Sequence, residues 1–186
     1  MNIMVVGVGG QGTLLTSRII GKTALSRGKD VKMSEVHGMA QRGGSVVTFV
    51  RFGEVVYEPV VEEGDVDVLI SFERLEAKRY AHYLKKDGII VVNDERIDPM
   101  TVVIGAKSYP ENIIAELSEK YKVYSVDGGA IAKALGNNKV LNSVVLGLAA
   151  KHIGFTYDDW MKVLTSTVPP KTVEINTAAF KAGYGI

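Results

Sequence analysis

The chain has 186 residues, a formal net charge of +1, no cysteine and a hydrophobic fraction of 46%. That is enough chain for one domain with a sizeable core; the near-neutral charge gives no electrostatic case for nucleic acid or an anionic membrane, and the absence of cysteine excludes a disulfide framework and any cysteine-held zinc or iron–sulfur cluster within the chain. No apolar run approaches the roughly 20 residues of a membrane-spanning helix, and the N-terminus opens directly into a strand without a basic-then-apolar leader, so a soluble, cytoplasmic protein is expected.

Ile3 to Val6 is a short unbroken apolar run, which suits a strand buried on both faces. Gly7, Gly9, Gly10 and Gly12 follow it, with Gln11 among them. From Thr13 the apolar period becomes helical, through Leu14, Leu15, Ile19, Ile20, Ala24 and Leu25. The order strand, glycine turn, helix fits the dinucleotide fingerprint Gly7-x-Gly9-x-x-Gly12 in both spacing and context. Glycines there let the backbone turn tightly and bring bare N–H groups to a helix N-terminus, a place that favours an anion. The same glycines would also be needed if they served only close strand–helix packing.

Gly28 suits the end of this helix, and Val31 to Val36 reads as a second strand. Glu35 stands near its end, where a Rossmann unit binds ribose hydroxyls; a plain strand-end carboxylate is the other reading. The stretch from Ser34 to Ser45 is unusual. A Rossmann unit would place a second amphipathic helix here, but Gly38, Gly43 and Gly44 and the lack of an apolar stripe argue against one. Glycine beside His37, Met39, Gln41 and Arg42 describes a bent loop that another molecule can approach, set on rigid elements. If the first two strands pair, this loop lies beside the glycine turn.

Val46 to Phe52 is rich in β-branched and aromatic residues, Gly53-Glu54 interrupts it, and Val55 to Pro59 follows, so a β-hairpin is predicted over residues 46 to 57. Val66 to Phe72 is again a buried strand, Glu73 to Lys86 a helix, and Gly88 to Asn93 another strand. Asn93-Asp94-Glu95-Arg96 then falls at a strand C-terminus, where open α/β sheets bind ligands. Val102 to Ile104 reads as a short strand, Pro110 opens a helix, and Lys122 to Val126 is the last clear strand. The C-terminal third is helical: Asp127 caps a short helix ended by Gly136, Leu141 to Leu148 marks a longer one in which Gly147 and Ala149 allow a close neighbour, Thr156 and Asp159 form a capping box, and a final helix carries Val173, Thr177 and Phe180.

The familiar machinery of catalysis is missing. His37, His82 and His152 stand in no metal-ligand spacing, and there is no Gly-x-Ser-x-Gly elbow, phosphate-binding P-loop or Gly-Asp-Gly of the thiamine-diphosphate type. One candidate anion turn, one polar glycine loop and no acid–base or nucleophilic set describe a binding subunit better than a complete enzyme.

Gly7-Val8-Gly9-Gly10-Gln11-Gly12, together with Ser34-Glu35-Val36-His37-Gly38-Met39-Ala40-Gln41-Arg42-Gly43-Gly44, resembles the gamma domain of the 2-oxoacid:ferredoxin oxidoreductases, and within that family its indolepyruvate branch. The resemblance runs through Asn142 to the closing Val173-Glu174-Ile175-Asn176, Phe180 and Gly183, so residues 1–186 are expected to form one gamma-type domain. It implies a three-layer, Rossmann-like α/β fold with a mainly parallel, mixed sheet. It also implies a large alpha-type partner subunit that carries thiamine diphosphate and iron–sulfur clusters, with coenzyme A as co-substrate and ferredoxin as electron acceptor. The complex would oxidatively decarboxylate an aryl 2-oxoacid. Gly7, Gly9, Gly10, Gln11, Gly12 and Glu35 are then the expected anion-binding set. His37, Gly38, Met39, Gln41, Arg42, Gly43 and Gly44 are the expected partner-facing loop. The competing reading is a stand-alone protein binding NAD(P) or another nucleotide.

Overall fold

A computed structural model of the chain describes residues 1–37 and 43–186. In order the elements are β1 (Asn2–Val8), α1 (Thr13–Ser26), β2 (Asp30–His37), β3 (Ser45–Gly53), β4 (Val66–Ser71), α2 (Arg74–Tyr80), β5 (Leu84–Asn93), α3 (Met100–Val103), α4 (Ile113–Ser118), β6 (Lys122–Val126), α5 (Gly128–Ala134), α6 (Leu141–Ala150), α7 (Tyr157–Thr167) and α8 (Val173–Tyr184). The strands form one six-stranded sheet in the order β2-β3-β1-β4-β5-β6. β1, β4, β5 and β6 are parallel, and β3 runs antiparallel to both of its neighbours.

Apolar runs become central strands because both faces of the sheet are covered. Ile3 and Val5 point into one core with Val68, Ile70 and Val91, beneath α1, α5, α6, α7 and α8. Met4 and Val6 point the other way with Leu69, Ile90 and Val92, into a smaller core under α2 and α4. The α/β class, the mixed sheet and the helical C-terminal third are as expected. Asp127 caps α5 through a bond from Ala130 N at 2.8 Å, and Thr156 with Asp159 forms the capping box of α7.

Five expectations are corrected. The antiparallel hairpin is not 46 to 57: β3 pairs with β2 on one side and β1 on the other. Both edges of β3 are therefore occupied, and residues 55–59 run as an irregular segment, with the Val56 N–H on Asp30 Oδ2 at 2.9 Å. For the same reason the first two strands do not pair with each other. The helix expected over 73–86 ends at Tyr80, and Leu84 already enters the sheet opposite Val66. Val102 and Val103 belong to the one-turn helix α3, which buries none of its residues; Pro99 ends the preceding chain and its carbonyl accepts from Val102 N and Val103 N. Lastly, α4 begins at Ile113 rather than at Pro110, because Asn112 sits at φ 55 in the left-handed region, outside the helix.

Candidate functional site

The glycine turn sits where β1 ends, at the C-terminal ends of β4 and β5. Three of its glycines have their own reasons. A Cβ on Gly7 would lie 2.9 Å from Gln11 Oε1 and 3.1 Å from both Phe72 Cβ and Thr13 Cγ2, so Gly7 makes room for the Gln11 side chain to fold back over the strand. Gly10 and Gly12 have φ of 105 and 86, a backbone that side-chain-bearing residues rarely adopt. Gly12 also lies against Asn142 of α6, where a Cβ would meet side-chain atoms at 3.1 Å.

Gln11 is a clamp. Its Oε1 accepts from Val8 N at 2.7 Å, and its Nε2 donates to Phe72 O and to Glu95 Oε2, both at 3.0 Å. The turn is thereby tied to the ends of β1, β4 and β5. The Gly9 N–H donates to Gly44 O at 2.9 Å, which brings the return arm of the β2–β3 loop against the turn. The neighbourhood expected from the sequence is therefore real, though it arises through β3 and not through pairing of β1 with β2. The Gln11 N–H is also engaged, by Val8 O at 3.2 Å. Among the described residues no partner is found for the N–H groups of Gly10, Gly12, Thr13, Leu14 and Leu15. These point from the turn and the first turn of α1, where the helix dipole adds positive character.

Beside them is an open cavity of about 500 Å³ lined by Gly9, Gly10, Gly12, Thr13, Leu14, Leu15, Arg18, Glu35 and Val46. It carries a cation on one wall and a carboxylate on the other. Arg18 has no ion-pair partner among the described residues. Glu35 reaches the cavity from β2, two strands away from β1, and not from the adjacent strand as in a Rossmann unit. Of the loop residues, His37 closes β2 opposite Val46, Gly43 is exposed at φ 82, and Gly44 holds Gly9. Gly38, Met39, Gln41 and Arg42 lie outside the described residues.

The sequence pointed to Asn93–Arg96 by position alone and gave no roles within it. Asn93 proves to be a second amide clamp. Its Nδ2 donates to Phe72 O at 3.1 Å and to Glu95 Oε2 at 3.0 Å, and its Oδ1 accepts from Gly128 N at 2.9 Å. Burial raises the Glu95 carboxyl above its ordinary value, the Gln11 bond opposes this, and the Glu73 carboxylate adds to it. Glu73 and Glu76 are buried on the same side. Glu73 caps α2 and accepts from Ile97 N at 3.2 Å and from the Tyr109 hydroxyl. Glu76 accepts from Ser45 Oγ and Arg79 Nη1, each at 2.5 Å, and burial raises its carboxyl. Among the described residues no group of His, Asp and Glu is arranged to hold a metal ion.

The family model for pyruvate ferredoxin/flavodoxin oxidoreductases matches residues 2–186. The chain belongs to that family. It is 41% identical over 188 residues to the indolepyruvate oxidoreductase subunit IorB of Thermococcus kodakarensis, covering 98% of this chain and 93% of that protein. A solved gamma subunit of a keto/oxoacid ferredoxin oxidoreductase from Geobacter sulfurreducens superposes with a TM-score of 0.73 at 26% identity, covering 99% of this chain and 96% of that one. The 2-oxoglutarate:ferredoxin oxidoreductase of Magnetococcus marinus, solved with 2-oxoglutarate, coenzyme A and succinyl-CoA bound, shares the fold with a TM-score of 0.77 at 19% identity. There the match covers all of this chain but 30% of the other, so in that enzyme the oxidoreductase fold is one part of a longer polypeptide. The resemblance read from the paired glycine motifs is confirmed. The stand-alone nucleotide-binding alternative loses to an oxidoreductase subunit.

Proposed function

We propose that this chain is the small subunit of a 2-oxoacid:ferredoxin oxidoreductase of the indolepyruvate type, with residues 1–186 as one gamma-type domain, and that its glycine turn receives a phosphate group of coenzyme A. The observation that carries the site is the cavity of about 500 Å³ that opens onto free N–H groups at the start of α1, with Arg18 on its wall. Free N–H donors and a guanidinium suit phosphate oxygens, Leu14, Leu15 and Val46 offer apolar cover, and Glu35 can accept from a hydroxyl or amino group. The identity to the Thermococcus subunit supports the aryl 2-oxoacid branch.

The overall reaction takes a 2-oxoacid, coenzyme A and two oxidised ferredoxins to acyl-CoA, carbon dioxide, two reduced ferredoxins and a proton. Thiamine diphosphate, when bound to the large partner, supplies the carbanion chemistry, and iron–sulfur clusters on that partner carry the electrons. This chain has no cysteine to hold such a cluster. Its own residues bind and orient: the turn and Arg18 fix the anionic end of the co-substrate, and the loop from His37 through Gly38, Met39, Gln41, Arg42 and Gly43 to Gly44 faces the partner. The complex works in the cytoplasm. A stand-alone dinucleotide protein fits less well, because β3 separates Glu35 from the place beside β1 where a ribose is gripped.

The test is reconstitution with the large subunit. The complex should reduce ferredoxin in the presence of indolepyruvate and coenzyme A, while the isolated chain is silent. Gly10→Val and Arg18→Ala should raise the KM for coenzyme A, and Arg42→Ala should lower complex activity without unfolding the chain. Turnover by the isolated chain, or a complex whose KM for coenzyme A ignores Gly10→Val and Arg18→Ala, would overturn the reading.

A further inference from the structure

Glu95 lies 84 positions from Gln11 in the chain, yet its Oε2 accepts from Gln11 Nε2 and Asn93 Nδ2, each at 3.0 Å. The residue is itself held in place. Its carbonyl accepts from Arg74 N at 3.1 Å, and its N–H donates to Asn93 O at 2.8 Å. A glutamine amide has two donor hydrogens. In Gln11 one serves Phe72 O and the other serves Glu95, while Oε1 holds Val8 N. Without Glu95 one donor is left unpaired in a half-buried place, and the side chain has reason to leave its seat over Gly7. That seat decides how the turn runs, because Gln11 stands between the two glycines of positive φ, Gly10 and Gly12. Asn93 repeats the arrangement at the end of β5: its side chain lies over Gly128, where a Cβ would come within 2.9 Å of Asn93 Oδ1. One carboxylate oxygen thus joins two amides, and through them the ends of β1, β4 and β5 and the start of α5.

We propose that Glu95 is a positioning residue for coenzyme A binding: by fixing the Gln11 amide it holds the glycine turn in the shape that presents its free N–H groups. This rests on the reading that the turn takes a coenzyme A phosphate. Two properties separate it from a general structural role. The effect must fall on coenzyme A and spare the 2-oxoacid, and it must pass through Gln11.

The experiment uses the assembled complex with Glu95→Ala, Glu95→Gln, Gln11→Ala and the double variant. KM for coenzyme A, KM for indolepyruvate and kcat are measured for each. Glu95→Ala should raise the KM for coenzyme A about tenfold, the scale of a lost charge-assisted hydrogen bond, and leave the KM for indolepyruvate unchanged. Glu95→Gln should stay within about twofold of wild type, since an amide carbonyl oxygen accepts from both neighbours. The double variant should be no worse than Gln11→Ala alone. If Glu95→Ala does not assemble, Glu95→Asp carries the same expectation, because it withdraws the acceptor by one methylene and keeps the charge. The inference is overturned if the two KM values rise together, if the double variant shows the sum of the single losses, or if Glu95→Ala binds coenzyme A normally. In that last case Gly10→Val and Arg18→Ala tell the failures apart. A raised KM in those variants sinks this inference alone, and a normal one sinks the coenzyme A site with it.

Discussion

Where α8 crosses α6, Gly147 and Gly183 bring two backbones into contact; where β1 hands over to α1, Gly10 and Gly12 bend one backbone in the open. A Cβ on Gly147 would land on the carbonyl oxygen of Phe180 and lie 2.9 Å from Tyr184 N. A Cβ on Gly183 would land on the Val144 carbonyl oxygen. Neither residue has a positive φ. Glycine is needed there for space, and its loss is a loss of stability. At Gly10 nothing lies within 4 Å of a built Cβ, and the need is conformational. The same residue type serves a rigid scaffold in one region and a receptive surface in the other. The two regions meet where Asn142 at the start of α6 lies against Gly12.

The largest expected effect is Gly183→Ala. The clash is with backbone atoms of α6, which cannot swing aside as a side chain end can, so the helices must separate and Phe180 and Trp160, both fully buried, lose contacts. Overpacking of this kind costs typically 1–3 kcal/mol, and about 3 kcal/mol is expected here. Urea unfolding of the chain measures it. A variant as stable as wild type would mean that α6 and α8 are not in the contact described.

Gly12→Ala comes next, at about 2 kcal/mol, because it joins a φ of 86 to crowding against Asn142 at 3.1 Å. A second substitution, Asn142→Ala, removes the Nδ2 and Cγ contacts but keeps the Cβ at 3.1 Å, so it relieves part of the crowding and none of the backbone strain. The pair should therefore recover part of the loss in the same urea experiment, and no recovery would place the cost in the backbone and in the remaining Cβ contact.

These contrasts were only partly legible in the sequence. The run Ile3 to Val6, the glycine turn and α1 were readable because each is specified by neighbours in the chain. So were the Asp127 cap and the Thr156–Asp159 box. The place of β3 was not, because the β-branched and aromatic run Val55–Tyr57 looks the same as in a true strand, and nothing local says that β3 has already filled both edges. Val102 to Ile104 misled for a related reason: β-branched residues favour strands, but this segment pairs with no strand of the sheet and closes a single helical turn instead. Gly147 was legible as a site of close approach, while its partner Gly183 was not. The Gln11–Glu95 bond joins residues 84 apart, and no period or motif announces such a contact.

The helical side also predicts a pH effect that the turn should not share. His152 follows α6, its Nε2 is buried with no hydrogen-bond partner among the described residues, and its ring lies 4.2 Å from that of Tyr124. Burial holds its imidazole below the ordinary value of 6.5, with Lys151 and Lys122 acting in the same direction. The unfolded chain therefore takes up the proton first as pH falls. The stability contributed by the neutral ring is present above pH 6.5 and is lost as pH falls through the lower folded value. Thermal midpoints measured from pH about 8 to about 5 should drop on the acid side, and His152→Phe should flatten that part of the curve. The slope should be the same in wild type and in Gly10→Ala; a slope that changes with Gly10 would mean that the turn and the surroundings of His152 are coupled.

The smallest expected change in stability is that of Gly10→Ala. The added methyl meets nothing within 4 Å, so its cost is the left-handed backbone at φ 105 and little else, about 1 kcal/mol. The methyl does, however, sit on a residue that lines the cavity beside the free N–H groups of α1. A phosphate approaching those donors would meet it. The variant should unfold almost like wild type and still raise the KM for coenzyme A in the assembled complex, the reverse of Gly183→Ala, which should unfold easily yet bind normally at temperatures where it is folded. If Gly10→Ala instead lowers the urea midpoint as far as Gly183→Ala and leaves the KM alone, the turn is a packing element like the α6–α8 contact, and the division between scaffold and receptive surface fails at its most exposed residue.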